Sequence, residues 1–202
     1  MSDTELEVFD REALNRARRR ALLNEAGRQF AEKGFHGTSL ASIARGVKLT
    51  KSGLFHYVNN KEELLFACYR DALHSAEECL EAAEDTAGDA PAKLAHYLRS
   101  HLTRIGKPGG YFTILSELYV LNAAQQRELR DTARRIDGRL RAIIENGIAE
   151  GSIGYDNPRM AVYAIDGALN WLPKWYSADG AESIEEIAED FIRFFLDGLR
   201  KR

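Results

Sequence analysis

The sequence predicts an all-α protein of about nine helices. Apolar residues recur every three or four positions through most of the chain, which is the spacing of one face of a helix. No segment shows the alternating pattern of a strand. Only 4 of the 202 residues are proline, the residue that most disrupts a helix interior, and 45% of the residues are hydrophobic. The chain can therefore bury a sizeable core built from helices.

The first predicted helix runs from about Asp10 to Lys33. Gly34 ends it, because glycine is favoured in the left-handed conformation that follows many helices. Two short helices are predicted next, within residues 38–58. Together these three helices form a small N-terminal domain.

A tight turn joins the two short helices. Thr38 or Ser39 can cap the first and Thr50 can cap the second, because a short hydroxyl side chain accepts a hydrogen bond from an unpaired backbone N–H. Apolar residues at helical spacing face inward, at Leu40, Ile43, Ala44, Val47, Leu54 and Val58. Helices this short are not stable alone, so each depends on its neighbours. The arrangement is the helix-turn-helix, whose second helix enters the DNA major groove.

Polar side chains occupy the outward face of this motif. Lysine and serine can donate to base edges or phosphates, and tyrosine can contact a phosphate or a thymine methyl group. A glycine allows close approach to a base edge or sugar. Taken singly, each of these side chains has a solvated surface group as its alternative interpretation, and the set points to DNA more strongly than its members. The candidate DNA contacts are Ser39, Ser42, Lys51, Ser52, Gly53, His56 and Tyr57.

The segment from Arg20 to Leu65 resembles the DNA-binding domain of the TetR family of bacterial repressors. The resemblance runs unbroken from the first helix to the start of the fourth, through Ala26, Phe30, Gly34, Phe35, Thr38, Ser39, Ile43, Ala44, Val47, Thr50, Leu54, Phe55, Tyr57, Lys61, Glu62 and Leu64. It implies a DNA-binding domain at residues 1–60. It also implies a larger helical ligand-binding and dimerisation domain at residues 61–202.

The resemblance adds two candidate DNA contacts and shows two departures. Lys61 stands where the family has a phosphate-contacting lysine. Phe55 stands where the family usually has tyrosine, so a phosphate-contacting hydroxyl is missing there and Tyr57 could replace it. Lys48 stands where the family usually has glycine. If Lys48 is left-handed, its side chain costs up to about 1 kcal/mol.

The rest of the chain reads as further helices. Asn60 begins a long fourth helix, with Glu63 as the partner in a capping box, and this helix runs to about Ala83. Asn157 followed by Pro158 is another start signal. The remaining helices are predicted at about 91–105, 111–121, 123–150, 158–175 and 183–200.

The last two helices carry apolar stripes too wide for one neighbouring helix to cover. We interpret them as a dimer interface, with two helices from each subunit in a four-helix bundle, which the resemblance also implies. Packing within the chain is the alternative interpretation. A dimer would present two recognition helices to successive half-sites of a palindrome. The candidate interface residues are Ile165, Ala168, Leu169, Leu172, Ile187, Phe191, Phe194 and Phe195.

Aromatic residues with polar tips are spread through the middle and late helices. A ligand pocket combines such apolar surface with a few placed hydrogen-bonding groups. Ordinary core packing is the alternative for each residue. Ligand binding would shift the population towards a state with a different separation of the recognition helices. The candidate effector contacts are Tyr69, Tyr97, His101, Phe112, Leu115, Tyr119, Tyr163 and Trp171.

The net charge of −3 conceals an asymmetry. Residues 1–61 contain 11 Lys and Arg against 7 Asp and Glu, giving +4, whereas residues 62–202 contain 17 against 24, giving −7. The positive charge is therefore concentrated where phosphates are expected to bind. The basic run Arg16, Arg18, Arg19 and Arg20 suits either a phosphate-binding arm or a solvated helix face.

Other classes of protein find little support. No apolar run approaches the roughly 18 residues that span a bilayer, and the acidic start is unlike a secretory signal. Cys68 and Cys79 provide no disulfide framework. We therefore expect a cytoplasmic protein without a membrane segment. Nucleotide-binding, hydrolase and zinc-protease motifs are lacking and the five histidines are scattered, so we expect no enzymatic activity, cofactor or metal site.

The sequence thus predicts a ligand-responsive, sequence-specific transcriptional regulator. It would bind double-stranded operator DNA as a homodimer, most simply as a repressor released by a small-molecule effector. Two alternatives remain open. One is a transcriptional activator of the same fold, and the other is a helical dimeric protein-interaction module that does not bind DNA.

Overall fold

The structure is a computed structural model that describes residues 3–106, 115–177 and 179–199. It contains no strand within these residues, and the predicted all-α fold is confirmed. The helices are α1 (Asp3–Gly37), α2 (Leu40–Gly46), α3 (Lys51–Leu54), α4 (Lys61–Glu84), α5 (Ala90–Gly106), α6 (Ala123–Glu150), α7 (Pro158–Trp171) and α8 (Ile184–Leu199), with 3-10 helices at Leu115–Val120 and Leu172–Lys174.

The largest differences from the predicted boundaries have local causes. Helix α7 ends at Trp171 instead of residue 175, because Pro173 lacks the N–H that an α-helix needs, and a 3-10 turn follows. The helix predicted at 111–121 is described only from residue 115, as a 3-10 helix. Residues 107–114, which include the predicted loop after α5, lie outside the described residues.

Helix α1 is longer than predicted, and it bends at Gly34. The backbone there has φ 71° and ψ 170°, a conformation that is essentially restricted to glycine. The bend returns Phe35 to the core, where its ring stacks on Phe30 with centroids 5.9 Å apart. The predicted end of the regular helix at Gly34 therefore corresponds to a real break.

The chain forms two compact units, residues 1–68 and 69–202. The sequence placed the boundary at residue 60, before α4, whereas the units divide within α4. The core of the first unit contains Leu22, Leu23, Ala26, Phe30, Phe35, Ile43, Leu54, Val58, Leu64 and Leu65.

In the second unit, α5 is the central helix. Its residues Leu94, Leu98 and Leu102 have no exposed surface, and the helix packs against both α6 and α8. Helix α7 packs in turn on α6. Within the described residues, no helix is both long and apolar enough to cross a membrane.

Candidate DNA and effector sites

Two neighbouring hydroxyl groups fix the entry to α2. Ser39 Oγ accepts a hydrogen bond from Ser42 N at 3.1 Å, and Ser39 N donates to Ser42 Oγ at 3.3 Å, which is a capping box. Thr38, the other predicted cap, is buried instead. Its Oγ1 donates to the carbonyl oxygens of Gln29 and Gly34 at 3.0 and 2.9 Å. Ser39 therefore begins α2, while Thr38 ties the end of α1 to its own preceding turn.

The turn after α2 has a lysine in the left-handed position. Lys48 has φ 55°, Leu49 N donates to Ala44 O at 2.8 Å, and Lys48 N donates to Arg45 O at 3.2 Å. This pattern is the Schellman motif, in which glycine is usual at the left-handed residue. The sequence predicts strain if Lys48 is left-handed, and its φ of 55° is left-handed.

Helix α3 is a single turn held by the predicted cap. Thr50 Oγ1 accepts a hydrogen bond from Gly53 N at 3.0 Å. Leu54 and Val58 are buried, as predicted, and Tyr57 N donates to Leu54 O at 2.9 Å, so the backbone keeps turning after the helix. The orientation of α3 is thus set by two inward apolar side chains and one cap.

The outward side of α3 and its following turn presents the predicted DNA contacts. Ser52 and His56 are exposed, and Phe55 is 44% exposed. Gly53 and Tyr57 are half-buried. The side chain of Lys51 lies outside what the structure describes. The exposed side chains share one short segment, so a single groove of DNA could meet them together.

Two predicted phosphate contacts are already bonded within the protein. Ser42 Oγ lies 2.6 Å from Gln29 Oε1. Lys61 Nζ donates to Phe35 O at 2.8 Å and Thr38 O at 2.9 Å, and it sits 4.1 Å from the centroid of the Phe35 ring. An ammonium has three N–H groups, so two of them stabilise the connection between α1 and α2.

Sequence reasoning missed Gln29, which links α1 to α2. The side chain is 3% exposed, it accepts from Ser42, and its Nε2 donates to Glu25 Oε1 at 2.6 Å. The Arg28 guanidinium also binds Glu25 and holds the pKa of that carboxyl below its usual value. The available signal was position, because Gln29 follows buried Ala26 by three residues and so shares its face.

In the second unit, Tyr97 and His101 are buried side by side on α5. Their rings stack with centroids 5.4 Å apart and 13° between planes. Burial lowers the pKa of His101 to about 4 and raises that of Tyr97, so both side chains are neutral near pH 7. Among the described side chains, His101 Nδ1 is the one buried polar atom without a hydrogen-bond partner. Tyr69 is also buried.

The structure does not gather all the predicted effector residues. Tyr119, Tyr163 and Trp171 are 66%, 51% and 63% exposed. Two of them lie on α7, whose inward positions are taken by smaller aliphatic residues, so their aromatic rings point outward. Phe112 lies outside the described residues, as does the side chain of Leu115. The buried part of the predicted set is therefore Tyr69, Tyr97 and His101.

A pair of carboxyl groups between α6 and α7 was also missed. Burial, with the negative charge of neighbouring Asp137 as the second cause, raises the pKa of Asp166 to about 7. Asp166 follows buried Val162 by four residues and precedes buried Leu169 by three, which marks its inward position. Within the described residues, no group of three or more His, Cys, Asp or Glu could hold a metal ion.

The predicted dimer residues divide into two sets. Ile165, Leu169, Leu172 and Ile187 are at most 5% exposed within a single chain. For these four, the alternative of packing within the chain holds, because α6 and α5 cover that side of α7 and α8. They leave at most 5% of their surface to a partner, so any contact between subunits would depend mainly on the other four residues.

The other set remains on the outside. Phe194 is 76% exposed, while Ala168, Phe191 and Phe195 are half-buried. Phe195 contacts both Phe191 and Phe194, with ring centroids 6.2 and 5.6 Å apart, and Trp175 lies 6.4 Å from Phe191. Beside these rings runs an open groove of about 900 Å³ between α7 and α8. We call Trp175, Phe191, Phe194 and Phe195 the aromatic face.

A capped helix-turn-helix with exposed polar residues, followed by a larger helical unit, defines a DNA-binding transcriptional regulator. Residues 22–68 match the profile described as bacterial regulatory proteins, tetR family. Residues 87–199 match the tetracyclin repressor-like C-terminal domain. The two matches cover most of the chain, and the protein belongs to the TetR family. It is a ligand-responsive, DNA-binding regulator.

Related proteins and solved structures are similar to this chain over almost its whole length. The HTH-type transcriptional repressor KstR2 of Mycolicibacterium smegmatis is 24% identical over 191 residues, covering 91% of each protein. The structure of PfmR from Thermus thermophilus has a TM-score of 0.77 at 28% identity, over 89% of this chain and 99% of that one. AibR, solved with isovaleryl coenzyme A and operator DNA, has a TM-score of 0.74 at 27% identity, over 88% and 97%.

Proposed function

We propose that this regulator is a repressor that binds a palindromic operator as a homodimer and is released by a small-molecule effector. The observation that carries the proposal is the exposed outer side of α3, in a region that is positively charged while the rest of the chain is negative. KstR2 is named a repressor, and AibR was solved with both operator DNA and an acyl coenzyme A. The name of KstR2 supports repression, and the AibR complex supports a fold that accepts both operator DNA and a small molecule.

In this proposal, residues 1–60 bind DNA and residues 61–202 bind effector and partner. Bases are contacted from α3, and phosphates from its edges. The exposure of Ser52, Phe55 and His56 supports direct contact for those three. Lys61 keeps its third N–H for a phosphate, while Ser39 and Ser42 act mainly by fixing α2. Lys51, Gly53 and Tyr57 complete the contact set that the sequence suggests.

The aromatic face is the proposed contact between two subunits. Three of its four large aromatic side chains lie on α8, Trp175 follows the 3-10 helix after α7, and an apolar groove between α7 and α8 runs beside them. Pairing α7 and α8 with their copies would bury these rings in a four-helix bundle. Ala168 would allow close approach of the helices. A two-fold dimer would also set the spacing of the recognition helices to match two half-sites.

The effector is proposed to bind near Tyr97 and His101. A buried polar atom without a partner costs about 1–3 kcal/mol, and a bound molecule that supplies the missing hydrogen bond would recover it. The effector must prefer the state with lower operator affinity, because only differential binding shifts the equilibrium. The chain needs no catalytic step or cofactor for this role, and it would act in the cytoplasm, where operator DNA lies.

The test is fluorescence anisotropy on duplexes from the DNA upstream of the protein's own coding region. Scrambled duplexes of equal length give the reference for specificity. Lys51→Ala should weaken operator binding by about 1–3 kcal/mol. Arg127→Ala, which removes an exposed positive charge from α6, should leave it unchanged.

Preference for one duplex, reversed by a compound from a ligand screen, supports the repressor. Equal binding of operator and scrambled DNA across the upstream region contradicts it. Protein dimers that bind no DNA at any salt concentration would instead favour the interaction module.

A further inference from the structure

We propose that the exposed N-terminal part of α1 is a second DNA-contacting surface. Arg18 and Arg19 would bind phosphates that flank the base pairs read by α3. This inference rests on the proposed function, because it extends the same DNA interface. It concerns side chains that the helix-turn-helix does not include.

The first observation is that this part of α1 is left uncovered by the described part of the chain. Every side chain in residues 14–21 is exposed, and the first buried residue after them is Leu22. A helical segment without packing gains little stability on its own in water. A surface of this kind is typical of a segment that has its contacts with a partner.

The second observation is the lack of acidic neighbours along the helix for two of the arginines. Residues three and four positions away on a helix are its side-chain neighbours. For Arg18 and Arg19 these neighbours are leucine, asparagine, alanine and Arg16, none of them acidic. Between residues 14 and 61 there are ten Lys and Arg but only two acidic residues, Glu25 and Glu32. Both acids bind Arg28, and neither lies three or four positions from Arg18 or Arg19.

The third observation is the register between α1 and α2. Ser42, near the start of α2, bonds to Gln29, and a Cβ added to Gly46, at its end, would overlap the side chain of Glu25. The two helices therefore run in opposite directions. Arg18 lies seven residues before Glu25, about 10 Å further along the helix axis. That distance carries the arginines past the end of α2, on the side where the chain turns towards α3.

The chemistry of the surface selects the partner. Guanidinium groups bind phosphate oxygens with two parallel hydrogen bonds, and they do so without reading sequence. A surface beyond the turn that leads to the recognition helix would meet the backbone next to the half-site. Each phosphate neutralised changes the slope of log affinity against log salt by about 0.9. Two arginines in each of two subunits would account for a slope of about 3.6.

The experiment compares the wild-type protein with the double variant Arg18→Ala/Arg19→Ala. Binding is measured by anisotropy on operator and scrambled duplexes between about 50 and 200 mM salt. The variant should lose roughly 10- to 100-fold in affinity on both duplexes, and its salt slope should be shallower by about 3 to 4. The control Arg127→Ala/Arg130→Ala removes the same charge from the exposed side of α6 and should keep the wild-type slope.

Duplex length locates the contact. On a duplex trimmed to the two half-sites, wild type and variant should bind alike, because the flanking phosphates are gone. Circular dichroism confirms that the variant is folded. An unchanged salt slope on the long duplexes, or an equal deficit on the trimmed one, would overturn the assignment to flanking phosphates.

The two proposals fail separately. The proposed function is tested by the ratio of the wild-type protein's affinities for operator and scrambled duplexes. The arginine surface is tested by the difference in salt slope between wild type and variant, which can be measured on scrambled DNA alone.

Discussion

The two compact units treat their buried polar groups differently. In the first unit, Gln29 and Thr38 are almost fully buried, and both have hydrogen-bond partners within that unit. In the second unit, His101 Nδ1 has no partner among the described residues, and Asp166 faces another carboxyl group. The most exposed large apolar side chain among the described residues, Phe194 at 76%, also lies in the second unit.

The difference indicates that the first unit is a rigid DNA-binding surface, whereas the second has groups that a ligand or a second subunit could cover. Satisfied buried networks hold a single geometry, which a recognition helix of one turn requires. Unpaired polar atoms and uncovered rings raise the free energy of the isolated subunit, so binding a ligand or a second subunit can lower it. The comparison can be tested by substitutions in each unit: at the aromatic face and the carboxyl pair of the second, and in the backbone of the first.

The largest effect is expected at the aromatic face. Phe194→Glu should raise the dimer dissociation constant by about 100-fold or more, because it would bury an unpaired charge between the subunits. The fold of the subunit should not change, since the side chain is exposed within it. Sedimentation velocity measures the oligomeric state. Ala124→Glu, on the exposed start of α6, is the matched control, and an undiminished dimer in the Phe194 variant would place the interface elsewhere.

The next effect concerns the backbone of the first unit. Gly34→Ala should lower the free energy of unfolding by about 1–3 kcal/mol, because a side chain is disfavoured at φ 71° and ψ 170°. Lys48→Gly, at the other left-handed position of this unit, should instead raise it by up to about 1 kcal/mol. Urea denaturation gives both values. Equal and small changes in the two variants would contradict the assigned strain.

The smallest effect is expected at the carboxyl pair, and it depends on pH. Asp166 has a pKa of about 7 in the folded chain against 3.8 for an ordinary aspartate, so the folded state holds a proton that the unfolded chain releases. This contribution to stability is complete below about pH 4 and is lost as the pH rises through 7. Between pH 5 and 8, the free energy of unfolding of Asp166→Asn should therefore rise by about 1–2 kcal/mol relative to that of wild type.

The substitution leaves His101 in place. Its contribution to the pH dependence of stability, opposite in sign to that of Asp166, is therefore the same in wild type and Asp166→Asn and cancels between them. The control Asp131→Asn changes an exposed carboxylate that pairs with Arg134 on α6. Denaturation curves at several pH values for the three proteins give the result. Parallel pH profiles for wild type and Asp166→Asn would show that the pair does not share a proton.

The sequence predicted those features that depend on neighbours along the chain. The Ser39 and Thr50 caps, the break at Gly34, the inward Leu54 and the length of α6 follow from local patterns of three or four residues. The same patterns identified the family. Local chemistry is strong evidence because caps and turns are satisfied by residues nearby.

Features that depend on distant residues were predicted less well. The stripe on α7 was visible, but the sequence did not reveal that Ile165 and Leu169 would face α6 while Tyr163 and Trp171 faced solvent. The pairing of Asp137 with Asp166 joins two consecutive helices through residues 29 positions apart, beyond the reach of a local pattern. Burial of a polar side chain on an apolar face was a usable signal, and it applied to Gln29 as well.

The position of the aromatic face has a consequence for how the regulator responds to its own abundance. The inward apolar residues of α7 and α8 are buried within one subunit, so a single chain can be folded before it pairs. In the proposed dimer, operator occupancy at low concentration then rises with the square of the number of chains. Halving synthesis would reduce occupancy about fourfold, which makes the control of transcription steeper than one binding event allows.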